Sequence, residues 1–201
     1  MTISLPIPPS FDGYSQETIP TWDQPTTASH SRVIAAAIDL LSQGESLLTS
    51  LDAKAYGLRA EAVFNASIGG HYRHCLDHFS CLMHGTSTGL VDYDHRERDR
   101  RLEQDPSYAL RATRELLLEL RGIDPEVLND AVVARCEVSY EPGNSPVTKS
   151  SLGREWVYAI AHGIHHYAMI SVIARLQNVV LPENFGVAPS TVAHNKGTSG
   201  N

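Results

Sequence analysis

One apolar stretch constrains the fold of this chain most strongly: residues 155–170, which contain no proline. His162 and His166 lie four residues apart within it. On an α-helix, residues four apart lie above one another on the same face, so both imidazoles point toward one place. Such a face normally packs into a core, where an imidazole without a polar partner is costly. The stretch therefore predicts a buried helix whose two histidines share a partner.

A divalent metal ion is the partner that this pattern favours, because neutral imidazole is its commonest protein ligand. The alternative is a set of structural histidines that hydrogen-bond to tyrosine, glutamate or backbone groups. A second cluster favours the metal, since His71, His74 and His78 follow Ser67 at helical spacing and share one face. Three histidines with one open coordination position form a catalytic arrangement for zinc.

Helical periodicity and capping residues predict four long helices. The third has the clearest boundaries, with Asp105 as N-cap, Pro106 in the first position and Gly122 after the last turn. Ser150 or Ser151 is a suitable N-cap for the fourth. The predicted helices cover about residues 29–51, 67–85, 105–122 and 151–178.

The predicted fold class is all-α, a four-helix bundle with long crossover connections. A short β-hairpin is expected between the third and fourth helices, because apolar residues alternate with polar ones over residues 134–140 before a turn at Pro142. The expected domain organisation is an irregular proline-rich arm over residues 1–27, the bundle over residues 28–180 and a flexible tail over residues 181–201.

Composition excludes several classes of function. The net charge is −7 and no block of lysine or arginine occurs, which argues against a nucleic-acid partner. The three cysteines form no Cys-x-x-Cys motif, so reduced thiols and a cytoplasmic location are expected. No secretion signal is recognised at the start of the sequence, and no run is expected to span a membrane.

The connection over residues 86–104 is rich in charge and long for a compact domain. A solvated crossover is the simplest interpretation of most of its side chains. Arg96 and Arg98 carry a second hypothesis, because arginines beside a metal site can hold an anionic substrate.

Two segments together resemble a known family. Residues 67–79, SIGGHYRHCLDHF, are similar to the second-helix signature of the DinB-like (damage-inducible) family of metalloenzymes. Residues 162–170, HGIHHYAMI, are similar to the His-x-x-His-His element of its fourth helix. The likeness covers about residues 28–178, and it implies a four-helix bundle, often a homodimer, with three histidines on a divalent metal.

By motif position, the resemblance places the metal on His74, His162 and His166. His71 and His78 are alternatives to His74 on the second helix, and His165 is an alternative on the fourth. His74 is preferred because His71 lies in the first turn, where the backbone is least restrained. Three imidazoles do not select the metal, which is expected to be Zn, Ni, Fe or Mn.

The activity that the resemblance implies is a transferase that depends on a low-molecular-weight thiol and a small-molecule substrate. His71 or His78 would handle protons, and Arg96 or Arg98 would steady an anionic substrate. A hydrolase using metal-bound hydroxide is chemically equivalent at this level. The alternative from another class is a non-catalytic metal-binding or sensing bundle, which a closed shell completed by Glu155 or a fourth histidine would favour.

Overall fold

The computed structural model describes residues 25–141, 143 and 145–198. Most of the predicted proline-rich arm, residues 1–27, therefore lies outside the described residues. Within them the chain is mostly helical and has a small three-stranded sheet. The helices are α1 Thr27–Ser50, α2 Ala53–Gly57, α3 Ile68–Thr88, α4 Arg101–Gln104, α5 Pro106–Arg121, α6 Leu152–Leu176 and α7 Pro189–Thr198; the strands are β1 Leu90–Asp92, β2 Ala131–Arg135 and β3 Val147–Ser151.

Capping residues set the starts of α3, α5 and α6 as the sequence predicted. The side chains of Ser67, Asp105 and Ser151 each accept a hydrogen bond from a backbone N–H of the first turn. The predicted end of α3 near Gly85 is wrong by about one turn, because the helix ends at Gly89 with φ 72°. Gly85 lies inside the helix, where a Cβ atom would come within 2.6 Å of Val91 Cγ2.

An antiparallel pair lies where the hairpin was expected, with Val133 of β2 opposite Lys149 of β3. β2 begins earlier than predicted, and residues 136–140 follow it as irregular structure. β1 pairs in parallel with the other edge of β2, placing Val91 opposite Ala134. No strand was predicted for β1, because three residues in a charged connection are too short for a periodic signal.

The four long helices contact one another in a cyclic order. α3 packs against α6, α6 against α1, α1 against α5, and α5 against α3. The close approach of α6 to α1 depends on Gly163, where an added Cβ would lie 2.6 Å from Leu40 Cδ2. Because α6 contacts both α1 and α3, its histidines face a neighbouring helix that also carries histidines.

α6 is also the one helix among the described residues that is long and apolar enough, by length and composition alone, to cross a membrane. This differs from the sequence expectation that no run would qualify. The core helix of a soluble protein passes the same test. Trp156, Tyr167 and Ile170 of α6 are almost completely buried within the chain, whereas Val157 and Leu176 are exposed. Packing within the chain therefore accounts for part of its apolar character.

The predicted flexible tail contains ordered contacts in its described part. Phe185 is buried, and its ring stacks on Tyr167 with centroids 4.6 Å apart. The hydroxyl of Ser171 donates to the Phe185 carbonyl at 3.0 Å, and α7 follows. These contacts tie the segment after α6 to the body of the protein, while mobility of residues 181–201 stays a prediction.

Candidate metal centre

Three imidazole nitrogens converge between α3 and α6. The Nε2 atom of His162 lies 2.8 Å from Nε2 of His74 and 3.1 Å from Nε2 of His166. The ligand atoms of the three residues all lie within 4.8 Å of one another, and all three side chains are half-buried. These histidines, hereafter the triad, can hold a metal ion, and they are the three that the motif positions indicated.

The dimensions of the triad suit a tetrahedral divalent ion. Metal–nitrogen bonds of about 2.0–2.1 Å at tetrahedral angles would place the nitrogens roughly 3.3 Å apart. The observed separations of 2.8 and 3.1 Å are a few tenths of an ångström shorter. Small rotations of the rings therefore bring the three nitrogens to metal-binding positions without moving either helix.

The electrostatics keep the triad in the ligand form of imidazole. Burial first, and then the neighbouring His78 and His166, lower the pKa of His74 to about 2. Burial likewise lowers the pKa of His166 to about 3 and lowers that of His162. The rings are therefore neutral at pH 7, and a neutral ring offers a lone pair to a metal.

His71 lies behind the triad rather than in it. Its Nδ1 atom is 2.8 Å from Nδ1 of His166, the nitrogen on the far side of that ring from His162. His71 does not line the cavity described below. His71 is therefore placed to orient the ring of His166. The second nitrogen of a metal-binding histidine commonly has a hydrogen-bond partner of this kind.

Asp77, on the same helix as His74, does not hold a histidine of the triad. Its carboxylate pairs with Arg73 at 3.0 Å, one turn earlier on the same helix. The angular offset of Asp77 from His74 on α3 turns it toward Arg73, which also pairs with Glu103.

His78 lies on the other side of His74. Its Nδ1 atom lies 2.9 Å from the His74 carbonyl oxygen and 3.3 Å from Arg96 Nη1. The shorter contact, in which Nδ1 donates to the carbonyl, places the lone pair of the neutral ring on Nε2. The ring stacks on Tyr93 with centroids 5.0 Å apart. Burial lowers the pKa of His78 to about 4. His78 lines the cavity and is placed to accept a hydrogen bond there.

Arg96 and Arg98 lie on the same side of the triad, as hypothesised from their charge. Arg96 Nη1 lies 2.9 Å from Nδ1 of His74, and Arg98 is exposed at the cavity wall. A metal on His74 Nε2 would leave the ring proton on Nδ1, so Arg96 Nη1 would then donate elsewhere. Among the described residues, neither guanidinium has a carboxylate within 4.0 Å, whereas Arg135 in the same wall pairs with Asp92. Two cationic side chains therefore face the cavity without an acidic partner.

Glu155 is not a ligand, so the closed shell considered from the sequence is not formed by it. Its carboxylate is buried and accepts hydrogen bonds from Tyr93 at 3.0 Å, Ser150 at 2.6 Å and Arg154 at 2.8 Å. These donors satisfy both oxygens. Glu155 instead anchors Tyr93, whose ring packs on His78.

A cavity of about 850 Å³ lies beside the triad, with His74 and His162 in its wall. Several other lining residues were not proposed as site residues from the sequence, among them Asp94, Cys136 and Tyr158. The ring of Tyr158 stacks almost parallel to His162, with centroids 5.7 Å apart. Helical spacing could have found Tyr158, which precedes His162 by four residues, but Asp94 and Cys136 come from connections without periodicity.

No protein-family model matches this sequence, and no solved structure matches it at a significant level. FK506-binding protein 5 from the fungus Rhizopus delemar is 30% identical over 115 residues. The match covers 55% of this chain and 29% of that protein. The chain is therefore similar to less than a third of this curated relative.

Proposed function

We propose that this chain is a divalent-metal-dependent enzyme of the DinB-like type, a transferase that uses a low-molecular-weight thiol and a small-molecule substrate. One observation carries the proposal: the three nitrogens of the triad converge, and two of its members, His74 and His162, line an 850 Å³ cavity. A site with three protein ligands leaves a coordination position for a reactant.

The helix arrangement supports the family resemblance. A four-helix bundle requires a ring of contacts such as the one through α1, α5, α3 and α6, and these contacts support that arrangement. The triad takes its members from two adjacent helices of that ring, and metal sites in bundles are built from facing helices in this way.

The triad suits Zn, Ni, Fe or Mn, and such an ion would lower the pKa of a thiol bound to it. In the transfer, the sulfur forms a bond to an electrophilic carbon while the bond from that carbon to its leaving group breaks. His78 takes the thiol proton on Nε2 and returns it to the leaving group. Arg96 and Arg98 hold anionic parts of the reactants, and His71 holds His166.

The alternative, a non-catalytic metal-binding or sensing bundle, needs a shell closed to reactants. Glu155 does not close it, because its oxygens are taken by Tyr93, Ser150 and Arg154. A hydrolase would use the same open position for water in place of a thiol. The panel of thiols and electrophiles described below distinguishes the transferase from the hydrolase.

The test begins with elemental analysis of protein purified without an affinity tag. The double variant His162→Ala/His166→Ala is expected to lose stoichiometric metal, whereas His84→Ala, on the exposed end of α3, keeps it. Full metal retention by the double variant would refute the centre. A panel of thiols and electrophiles then tests transfer, and metal-loaded protein inactive with every pair would favour the sensing bundle.

We also propose a homodimer through the outer face of α6. Tyr167 of that helix is buried within the chain. Val157, Val172 and Leu176 instead remain 54, 47 and 55% exposed. Sedimentation at micromolar concentration is expected to show a dimer that Val172→Lys dissociates, and a wild-type monomer would refute the proposal.

A further inference from the structure

Two buried polar atoms of opposite character lack a partner in the wall of the cavity. Arg96 Nε and Asp94 Oδ2 have no hydrogen-bond partner among the described residues, and both residues line the cavity. An unsatisfied buried donor or acceptor is costly, and most such atoms in proteins find a partner or bind something. The pair therefore indicates that a ligand supplies both an acceptor and a donor.

Two other charged residues in the same wall are paired. Arg135 donates to Asp92 at 3.1 Å. Glu137 accepts from the Ser139 backbone N–H at 3.0 Å and from the Ser145 hydroxyl at 3.3 Å. Arg98 has no carboxylate partner but is exposed to solvent. Among the described residues, the buried unpartnered atoms of this wall thus belong to one cation and one anion, and Arg135 and Glu137 offer matched controls.

Asp94 and Arg96 are two residues apart in the chain, and both line the cavity. Asp94 Oδ1 accepts a hydrogen bond from the Glu137 backbone N–H at 2.8 Å, and Arg96 Nη1 lies 2.9 Å from His74 Nδ1. The atoms of these two side chains that remain for a ligand are therefore Asp94 Oδ2 and Arg96 Nε.

The chemistry of the two atoms selects the ligand class. A guanidinium N–H pairs best with a carboxylate, and a carboxylate oxygen pairs best with an ammonium group. An anion alone would leave Asp94 unsatisfied and would be repelled by it. A cation alone would leave Arg96 unsatisfied and would be repelled by its guanidinium. A group that carries both charges on one carbon satisfies both atoms.

We propose that the cavity binds an α-amino acid head group, with its carboxylate on Arg96 and its ammonium on Asp94. This inference rests on the proposed function in one respect, because it makes the thiol cosubstrate a cysteine-type amino acid. Arg96 also contacts His74 of the triad. A head group held by Arg96 therefore lies beside the metal position, where a thiol on the adjacent carbon reaches it.

Calorimetric titration of the metal-loaded protein tests the ligand class with a matched series. L-Cysteine has thiol, carboxylate and ammonium; cysteamine lacks the carboxylate, 3-mercaptopropionate lacks the ammonium and L-alanine lacks the thiol. L-Cysteine is expected to bind at least about tenfold more tightly than cysteamine or 3-mercaptopropionate, since each lacks one charge-assisted contact. L-Alanine is expected to bind measurably, and metal content is measured after each titration.

Variants assign the two contacts. Asp94→Asn is expected to weaken the binding of L-cysteine about tenfold or more. The affinity for 3-mercaptopropionate is expected to stay unchanged, because that ligand has no ammonium. Arg96→Met is expected to weaken the binding of L-cysteine to the same degree. The affinity for cysteamine is expected to stay unchanged, because cysteamine has no carboxylate. Glu137→Gln and Arg135→Gln are expected to keep the wild-type order of ligands. A variant that fails to fold would lose all ligands together, which separates misfolding from a lost contact.

The outcomes separate this inference from the transferase proposal. Equal affinity for L-cysteine, cysteamine and 3-mercaptopropionate, or no binding of L-cysteine and L-alanine, would overturn the head-group inference even if thiol transfer is found. Amino-acid binding that depends on Asp94 and Arg96, without transfer to any electrophile, would support the head-group site and count against the transferase.

Discussion

The variant His71→Ala tests whether His71 is itself a metal ligand or only orients the ligand His166. The substitution removes a ring whose Nδ1 lies 2.8 Å from Nδ1 of His166, with ring centroids 5.0 Å apart. It leaves the three converging nitrogens of the triad untouched. The variant is therefore expected to bind metal at the wild-type stoichiometry and with lower affinity.

The size of the loss follows from the single contact that is removed. A hydrogen bond between neutral groups contributes about 0.5–1.5 kcal/mol net, which corresponds to a factor of about 2–13 in affinity. Loss of an outer partner of a metal ligand typically costs about 10–100-fold. About tenfold satisfies both ranges and is the expected effect. His74→Ala removes one of three ligands and is expected to cost more than about 100-fold.

Competition with a chromophoric zinc chelator measures both variants on one scale. His84→Ala is the matched control, since it removes an exposed histidine from the same helix. A loss in His71→Ala as large as that in His74→Ala would place His71 among the ligands. An unchanged affinity in His71→Ala would show that its contact with His166 does not orient the ring.

The remaining predictions concern stability. Burial lowers the pKa of His74 to about 2 and of His78 to about 4, below the ordinary value of 6.5. The unfolded chain then binds more protons below pH 6.5, so metal-free protein should lose stability progressively from pH 6.5 to pH 4 in urea titrations; stability that rises on acidification would contradict this. Gly163→Ala is expected to cost about 1–3 kcal/mol in the same assay, because its Cβ would lie 2.6 Å from Leu40. Gly57→Ala is the control, because no heavy atom lies within 4 Å of a Cβ at that position. An equal loss of stability in Gly57→Ala would refute the packing argument.

Local rules were sufficient where the determining interaction is local. Ser67, Asp105 and Ser151 were predicted as caps because a cap accepts from a backbone N–H two or three residues later. The pairing of His162 with His166 follows from the same short range, since residues four apart must share a face of a helix. Periodicity therefore determined the long helices and which histidines each one presents.

The family likeness contributed the choice among the histidines of α3. Residues 71, 74 and 78 share a face, so spacing alone left His71, His74 and His78 open. The structure brings His74 to His162 and His166 and turns His71 to the far nitrogen of His166. That selection depends on how far α3 is shifted along α6, which is a property of packing between helices.

Tertiary structure alone decided the partners that come from distant parts of the chain. Glu155 shares a face with His162 by spacing, yet Tyr93 and Ser150 reach its oxygens and remove it from the ligand set. Asp94 and Cys136 enter the cavity wall only because β1 pairs with β2 and carries the two connections to the triad. A sequence specifies its own periodicity and caps, but contacts between residues far apart in the chain depend on which surfaces pack together, and that is determined by the whole fold.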